Sequence, residues 1–218
     1  MTNGSEDERR PYTSPHRTAQ ARATRQAVLD AAGRLFAERG YAATAREDVA
    51  RAAGVSPQTV AAVAGGKRGL LEAVLDEAGR RDGQALPVAL RSWLQELREH
   101  GDAGALLRAH ARSSAAVSRH MGSATETLRR AAAADPALAD LWTATQAQRH
   151  RGQATVVELL AQRTPPLRPD LSPAEAADVL WALTDDALHG ALVGERGWTE
   201  ERFSDWLGDT LCRLLLHP

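Results

Sequence analysis

Residues 54–74, GVSPQTVAAVAGGKRGLLEAV, decide how this chain is read. Ser56 followed by Pro57 is a strong helix start. The serine hydroxyl accepts from a free N–H of the first turn, and proline at the first helical position lacks an N–H that would go unused anyway. Gly65-Gly66 must end that helix. Lys67 opens another, with Leu70, Leu71, Val74, Leu75 and Ala78 turned inward. Just upstream, a helix is expected over 45–53. Thr44 is its N-cap, Thr44-x-x-Glu47 is a capping-box pattern, and Gly54 closes it.

Two short helices joined by a glycine turn have the layout of a helix-turn-helix. The first helix braces the second, and the second lays its N-terminal residues along base edges in the major groove. Those residues are Pro57, Gln58 and Thr59. Glutamine pairs with adenine, and threonine touches a thymine methyl or a phosphate. Ala50 and Ala53 are small where the helices cross, while Val49, Val55 and Val60 can fill the space between them.

Working outward, a first helix is expected over 19–39. Its stripe is Val28, Leu29, Ala32, Leu35 and Phe36, and Gly40 stops it. Residues 1–17 have no periodicity and read as a disordered arm. Its arginines suit the minor groove beside a major-groove helix, and a merely solubilising tail accounts for them equally well. After Gly83, helices are expected over 86–99, 103–119, 123–134, 137–163, 173–194 and 199–216. Asp135-Pro136, Thr164-Pro165-Pro166 and Arg196-Gly197 supply breaks. β-branched residues never alternate, so no strand is expected. The chain reads as all-α: an arm over 1–17, a helix-turn-helix domain over 18–66, a connecting helix over 67–83, and a ligand-binding and dimerisation domain over 84–218.

The 218 residues carry a formal net charge of -1, but the charge is unevenly placed. Residues 9–68 hold eleven Lys/Arg against four acids. A basic N-terminal third on an acidic remainder is the footprint of a DNA-binding head on a separate body. An arginine-rich solvated face gives the same count. No apolar run reaches the ~18 residues of a membrane helix, and the polar N-terminus has no signal-peptide core; a cytoplasmic protein is expected. The lone Cys212 excludes an internal disulfide and reads as a packed, inert thiol.

Residues 25–74 resemble the N-terminal domain of TetR-family transcriptional repressors. The resemblance is carried by Val28-Leu29-Asp30-Ala31-Ala32, Leu35-Phe36-Ala37-Glu38-Arg39-Gly40-Tyr41 and Thr44. It continues through Asp48-Val49-Ala50, Ala53-Gly54-Val55-Ser56, Thr59-Val60, Lys67 and Leu70-Leu71. It covers under a quarter of the chain. It implies a dimeric repressor of double-stranded DNA, released from its operator by a small, largely apolar effector bound in an all-helical body. The expected DNA contacts are Arg25, Thr44, Arg46, Ser56, Pro57, Gln58, Thr59 and Lys67.

The chain departs from the family at three positions. The family usually has an aromatic at Ala61, an aromatic or histidine at Val63 and phenylalanine at Ala64, and those groups grip phosphate and pack the head. Arg46 stands where the family tends to be apolar. Three readings stay open. Helix three packs with smaller residues and phosphate contacts move to Arg46, Lys67, Arg68 and the arm. The head is weakened. Or the fold survives as a ligand-binding or partner-binding module without DNA binding.

In the body, Leu180, Leu183, Ala187 and Ala191 form one stripe, and Phe203, Trp206, Leu207, Leu211 and Leu214 another. The resemblance implies that they pair across a two-fold axis as a four-helix bundle; packing within one chain explains part of each. Polar and aromatic residues inside apolar stripes are effector-pocket candidates: Trp93 with Leu97; Leu107, His110 and Ser114; Trp142, Thr145 and Arg149; Trp181 with Asp185. Taken singly, each tryptophan and His110 reads more simply as core. No cofactor or metal is expected. The chain has no Gly-rich phosphate loop, G-x-S-x-G, H-E-x-x-H or cysteine nucleophile, so an enzyme is not expected.

Overall fold

The computed structural model describes residues 15–79, 95, 98–99 and 101–217. Its helices are α1 (Pro15–Arg39), α2 (Arg46–Ala53), α3 (Pro57–Ala64), α4 (Lys67–Ala78), α5 (Ala103–Ala132), α6 (Pro136–Leu160), α7 (Pro173–Leu183), α8 (Asp186–His189) and α9 (Glu200–Leu215), with a π-helical turn over Gly190–Glu195. The fold is all-α. Among the described residues the only β-type pairing is an isolated antiparallel bridge between Leu167 and Leu216. No helix among them is long and apolar enough to cross a membrane.

Several boundaries differ from the sequence expectation, each for a local reason. The first helix starts at Pro15 rather than 19, where proline's fixed φ suits a first turn. The helices expected over 103–119 and 123–134 are one, α5. Gly122-Ser123 is a weak helix former, but Ala115 and Ser118 before it and Ala124, Thr127 and Leu128 after it are all buried, and packing overrides propensity. The helix expected over 173–194 breaks at Thr184. There Thr184 Oγ1 turns back to the Leu180 carbonyl at 2.7 Å, and Asp185 caps a new start by accepting from Ala187 N–H at 2.9 Å. A capping box forms between Ser172 and Glu175 at the start of α7, and Thr199 caps α9 by accepting from Arg202 N–H. Of the helix expected over 86–99, only residues 95, 98 and 99 are described, and they are helical.

The buried apolar side chains form two cores. One joins Val28, Leu35 and Phe36 of α1 to Val49, Val60, Leu70 and Leu71 of the next three helices, and it also takes in Ala124 and Leu128 of α5 and Leu138 of α6. The second joins Leu106, Leu107 and Ala111 at the other end of α5 to Val156 and Leu160 of α6, Leu180 of α7, and Phe203, Leu207 and Leu211 of α9. The 30-residue α5 therefore runs about 45 Å from body to head, with one end sealed in each core.

Candidate nucleic-acid interface and body sites

The head presents α3 by its first turn. Ser56 is extended and its Oγ accepts from Thr59 N–H at 3.1 Å, with Pro57 in the first helical position. The same Oγ lies 2.9 Å from the Thr59 hydroxyl. Gln58 is exposed, and Pro57 and Thr59 are half-buried beside it. Behind them Val60 is buried. The turn feeding α3 depends on Gly54, whose φ of 68° is the left-handed region that side chains resist. With it in place, Val55 N–H reaches back to the Ala50 carbonyl at 3.0 Å, closing α2 in a Schellman-type cap.

Thr44 does not cap α2. It is 1% exposed, and its hydroxyl faces the carbonyls of Gly40 at 2.9 Å and Leu35 at 3.2 Å. Thr44 thus ties the α1–α2 turn to α1, and its hydroxyl is not presented to solvent. The cap position is Ala45, and its N–H donates to Asp48 at 3.2 Å. The acidic partner is therefore Asp48 rather than Glu47, because the helix starts one residue later than the threonine suggested.

The expected phosphate-binding cations divide into two kinds. Arg46 opens α2 on the surface, its Nη2 3.5 Å from adjacent Glu47. Arg25 and Lys67 are engaged inside the head. Arg25 Nη1 donates to the Val63 carbonyl at 3.0 Å. Lys67 Nζ donates to the Ala42 carbonyl at 2.9 Å and sits 4.6 Å over the Tyr41 ring. Burial lowers the Lys67 pKa and raises that of the Tyr41 phenol. Val63 and Ala64 stay half-buried against the head core, so small side chains fill the positions where the family's aromatics were expected. At the α3–α4 junction Gly69 has no substitute. A β-carbon there would lie 2.1 Å from the Ala64 carbonyl oxygen, so α4 opens directly against the end of α3.

In the body, the sequence-expected pocket residues do not converge on one place. Trp93 and Leu97 lie outside the described residues. Leu107 is fully buried core, and Ser114 is half-buried. Trp142 packs with the head-side core, while Thr145 donates to the Leu141 carbonyl of its own helix. Arg149, Trp181 and Asp185 do meet. Arg149 bonds to Asp185 and to the Trp181 carbonyl, both at 2.8 Å, and stacks 4.9 Å over the Trp181 ring. Burial lowers its pKa while Asp185 and Asp186 work against that shift. The indole Nε1 of Trp181 is buried with no hydrogen-bond partner among the described residues.

His110 is 2% exposed and its Nε2 lies 2.8 Å from Gln153 Oε1. Burial lowers its pKa to about 4, so the ring is neutral and Gln153 faces an N–H. Sequence reading missed Gln153, although a glutamine in the α6 stripe with Val156, Val157 and Leu160 was visible. Cys212 is half-buried near the Gly104 carbonyl, and burial raises its pKa, which suits an unreactive thiol. Among the described residues no cluster of three or more His, Cys, Asp or Glu could hold a metal ion.

Four of the nine residues assigned to dimerisation are core. Leu180, Phe203, Leu207 and Leu211 are buried within the single chain; α9, which carries the last three, lies along α5, and α7, which carries Leu180, lies along α6. Leu183, Ala191 and Trp206 are half-buried, and Ala187 and Leu214 are exposed. Leu214 is 43% exposed.

Residues 28–74 match the family model described as bacterial regulatory proteins, tetR family. No curated protein sequence matches. Solved structures do. NalD, the secondary repressor of the MexAB-OprM multidrug efflux pump in Pseudomonas aeruginosa, is 22% identical over 90% of this chain and 98% of its own, with a TM-score of 0.62. The SmeT–triclosan complex is 22% identical over 89% and 92%, at 0.65. A TetR-like transcriptional regulator from Rhodococcus sp. RHA1 is 21% identical over 87% and 94%, at 0.64. At these identities the likeness is one of fold: a TetR-type head followed by a larger helical body.

Proposed function

We propose that this chain, with a TetR-type head and the fold of TetR-family regulators, is a DNA-binding transcriptional repressor that acts as a homodimer. The observation that carries the reading is the first turn of α3: a Ser56 cap, proline at the first position, and Gln58 exposed beside Thr59. In a dimer, two such turns would enter successive major grooves about one helical turn apart on a near-palindromic operator. Gln58 reads a base, Thr59 and Ser56 contact base or phosphate, and Arg46 holds phosphate at the start of α2. Thr44, Arg25 and Lys67 position the reading helix rather than grip DNA as their first role.

A small, largely apolar effector in the body would release the operator. Triclosan in the SmeT complex is a ligand of that kind. Release requires that the effector bind one head spacing better than the other, and α5, anchored in both cores, is the element that transmits it.

The alternative is a ligand-binding or partner-binding module of the same fold with weak or lost DNA binding. It is favoured by the internal engagement of Arg25 and Lys67 and by the absence of aromatics at Ala61, Val63 and Ala64. Footprinting on the DNA upstream of the protein's own gene separates the two. A regulator protects a near-palindromic site with an affinity that falls steeply with salt; a module protects none at any salt.

A further inference from the structure

Of the 27 Lys and Arg residues in the chain, Lys67 is the one lysine. An arginine guanidinium stays protonated and resists acylation, so Lys67 carries the chain's only side-chain amine that can be acylated. It stands at the first position of α4, just past the end of α3. Its Nζ donates to the Ala42 carbonyl at 2.9 Å, in the turn between α1 and α2, and lies 4.6 Å over the Tyr41 ring. That hydrogen bond is open to solvent. The two residues before it, Gly65 and Gly66, are exposed, and a β-carbon at either would meet nothing within 4 Å. Arg46 lines the same narrow cleft as Lys67, between the start of α2 and the α3–α4 turn.

We propose that Lys67 is a modification site, acylated at Nζ by a small acyl phosphate whose phosphate end meets Arg46 at the mouth of this cleft. The ammonium gives up one proton to water, and the freed lone pair attacks the acyl carbon. The C–N bond forms, the C–O bond to phosphate breaks, and phosphate leaves with that electron pair and takes up a second proton from the nitrogen. Two features favour this amine. Burial lowers its pKa, so more of it is neutral near pH 7 than of an ordinary lysine. Its bond to Ala42 uses an N–H that the charged and neutral forms both possess, so deprotonation keeps the amine in place and leaves its lone pair free. The amide product has one N–H and no charge. Attraction to the Tyr41 ring is lost, and the α1–α2 turn is held to α4 less firmly. The consequence for operator binding rests on the DNA-binding reading above; acylation does not.

Acetyl phosphate is the probe, incubated without DNA with the full-length protein and, as an unstructured reference, with a synthetic peptide of residues 60–74. Peptide-mapping mass spectrometry follows acetylation with time. Lys67 reacts faster in the folded protein than in the peptide, and Arg46→Gln slows the reaction in the protein at an unchanged thermal midpoint. Acetylation of the parent lowers the midpoint by about 2–4 °C, the scale of losing one such contact in a chain of this size, and Lys67→Gln lowers it similarly. A rate at Lys67 no greater than in the peptide, an unaltered rate in Arg46→Gln, or a midpoint that acetylation leaves unmoved overturns the site. Operator affinity of the acetylated protein is measured separately and falls. If Lys67 is acetylated with these properties but no operator exists, the site stands and the regulator reading fails.

Discussion

The Arg25 guanidinium of α1 donates to the Val63 carbonyl, in the last turn of α3, across 3.0 Å. The first helix thereby holds the end of the reading helix through a main-chain oxygen, which any side chain at 63 can offer. A cation near a helix C-terminus also opposes the partial negative charge of the unpaired carbonyls there. Loss of the family's aromatics therefore leaves α3 with a polar fastening at its C-terminal end as well as its packing.

Arg25→Ala should lower the unfolding free energy of the protein by about 1 kcal/mol, the ordinary worth of a part-exposed hydrogen bond of this kind. Arg25→Lys should recover part of it. Urea melts followed by circular dichroism measure this. If Arg25 instead served only phosphate, both variants would melt like the parent and only operator affinity would change.

Arg46 and Gln58 should separate by kind of readout. Arg46→Ala weakens binding to all sequences and flattens the plot of log affinity against log salt by about one unit per head. Gln58→Ala leaves the slope unchanged and relaxes preference at a single position of each half-site by about 1–3 kcal/mol. Fluorescence anisotropy on an operator and its single-base variants, at several salt concentrations, resolves the two. A Gln58 variant with a parental base preference removes it from the reading surface.

His110 makes the body sensitive to acid. Burial lowers its pKa in the folded chain from the ordinary value of 6.5 to about 4. The unfolded chain therefore takes up the proton first as pH falls. The stabilising contribution of the neutral ring is complete above about pH 6.5 and is lost progressively down to about pH 4. Between pH 7 and pH 5 that loss is on the order of 2 kcal/mol. Replacing the pair together, His110→Leu with Gln153→Leu, avoids an orphaned amide and should remove this part of the pH dependence. Equal slopes of stability against pH in parent and double variant would sink the assignment.

Leu214 is the most exposed of the residues assigned to dimerisation, together with Ala187. If α7 and α9 meet their two-fold mates, Leu214→Glu places a charge in that contact and raises the dimer dissociation constant by at least about tenfold. The monomer core is untouched, since Leu211 and Leu215 on either side remain buried. Sedimentation velocity at several concentrations reads the outcome. An unaltered association state moves the interface away from this end of α9.

The sequence alone carried the head. The Ser56-Pro57 start, the glycine turn at Gly54 and the stripe from Val28 to Phe36 are local signals, set by capping chemistry and a 3.6-residue period within a few turns of chain. The body was legible as helices but not as contacts. Periodicity marks an apolar face without naming what covers it: the stripe of Phe203, Leu207 and Leu211 suited a two-fold mate or the chain's own core, and only the tertiary structure lays α9 along α5, about a hundred residues upstream. For the same reason the reach of Arg25 to Val63 and the closeness of Gly69 to Ala64 belong to tertiary structure alone. Each depends on the distance between segments remote in sequence or turned sharply on one another, and that distance is decided by how the two cores pack around α5.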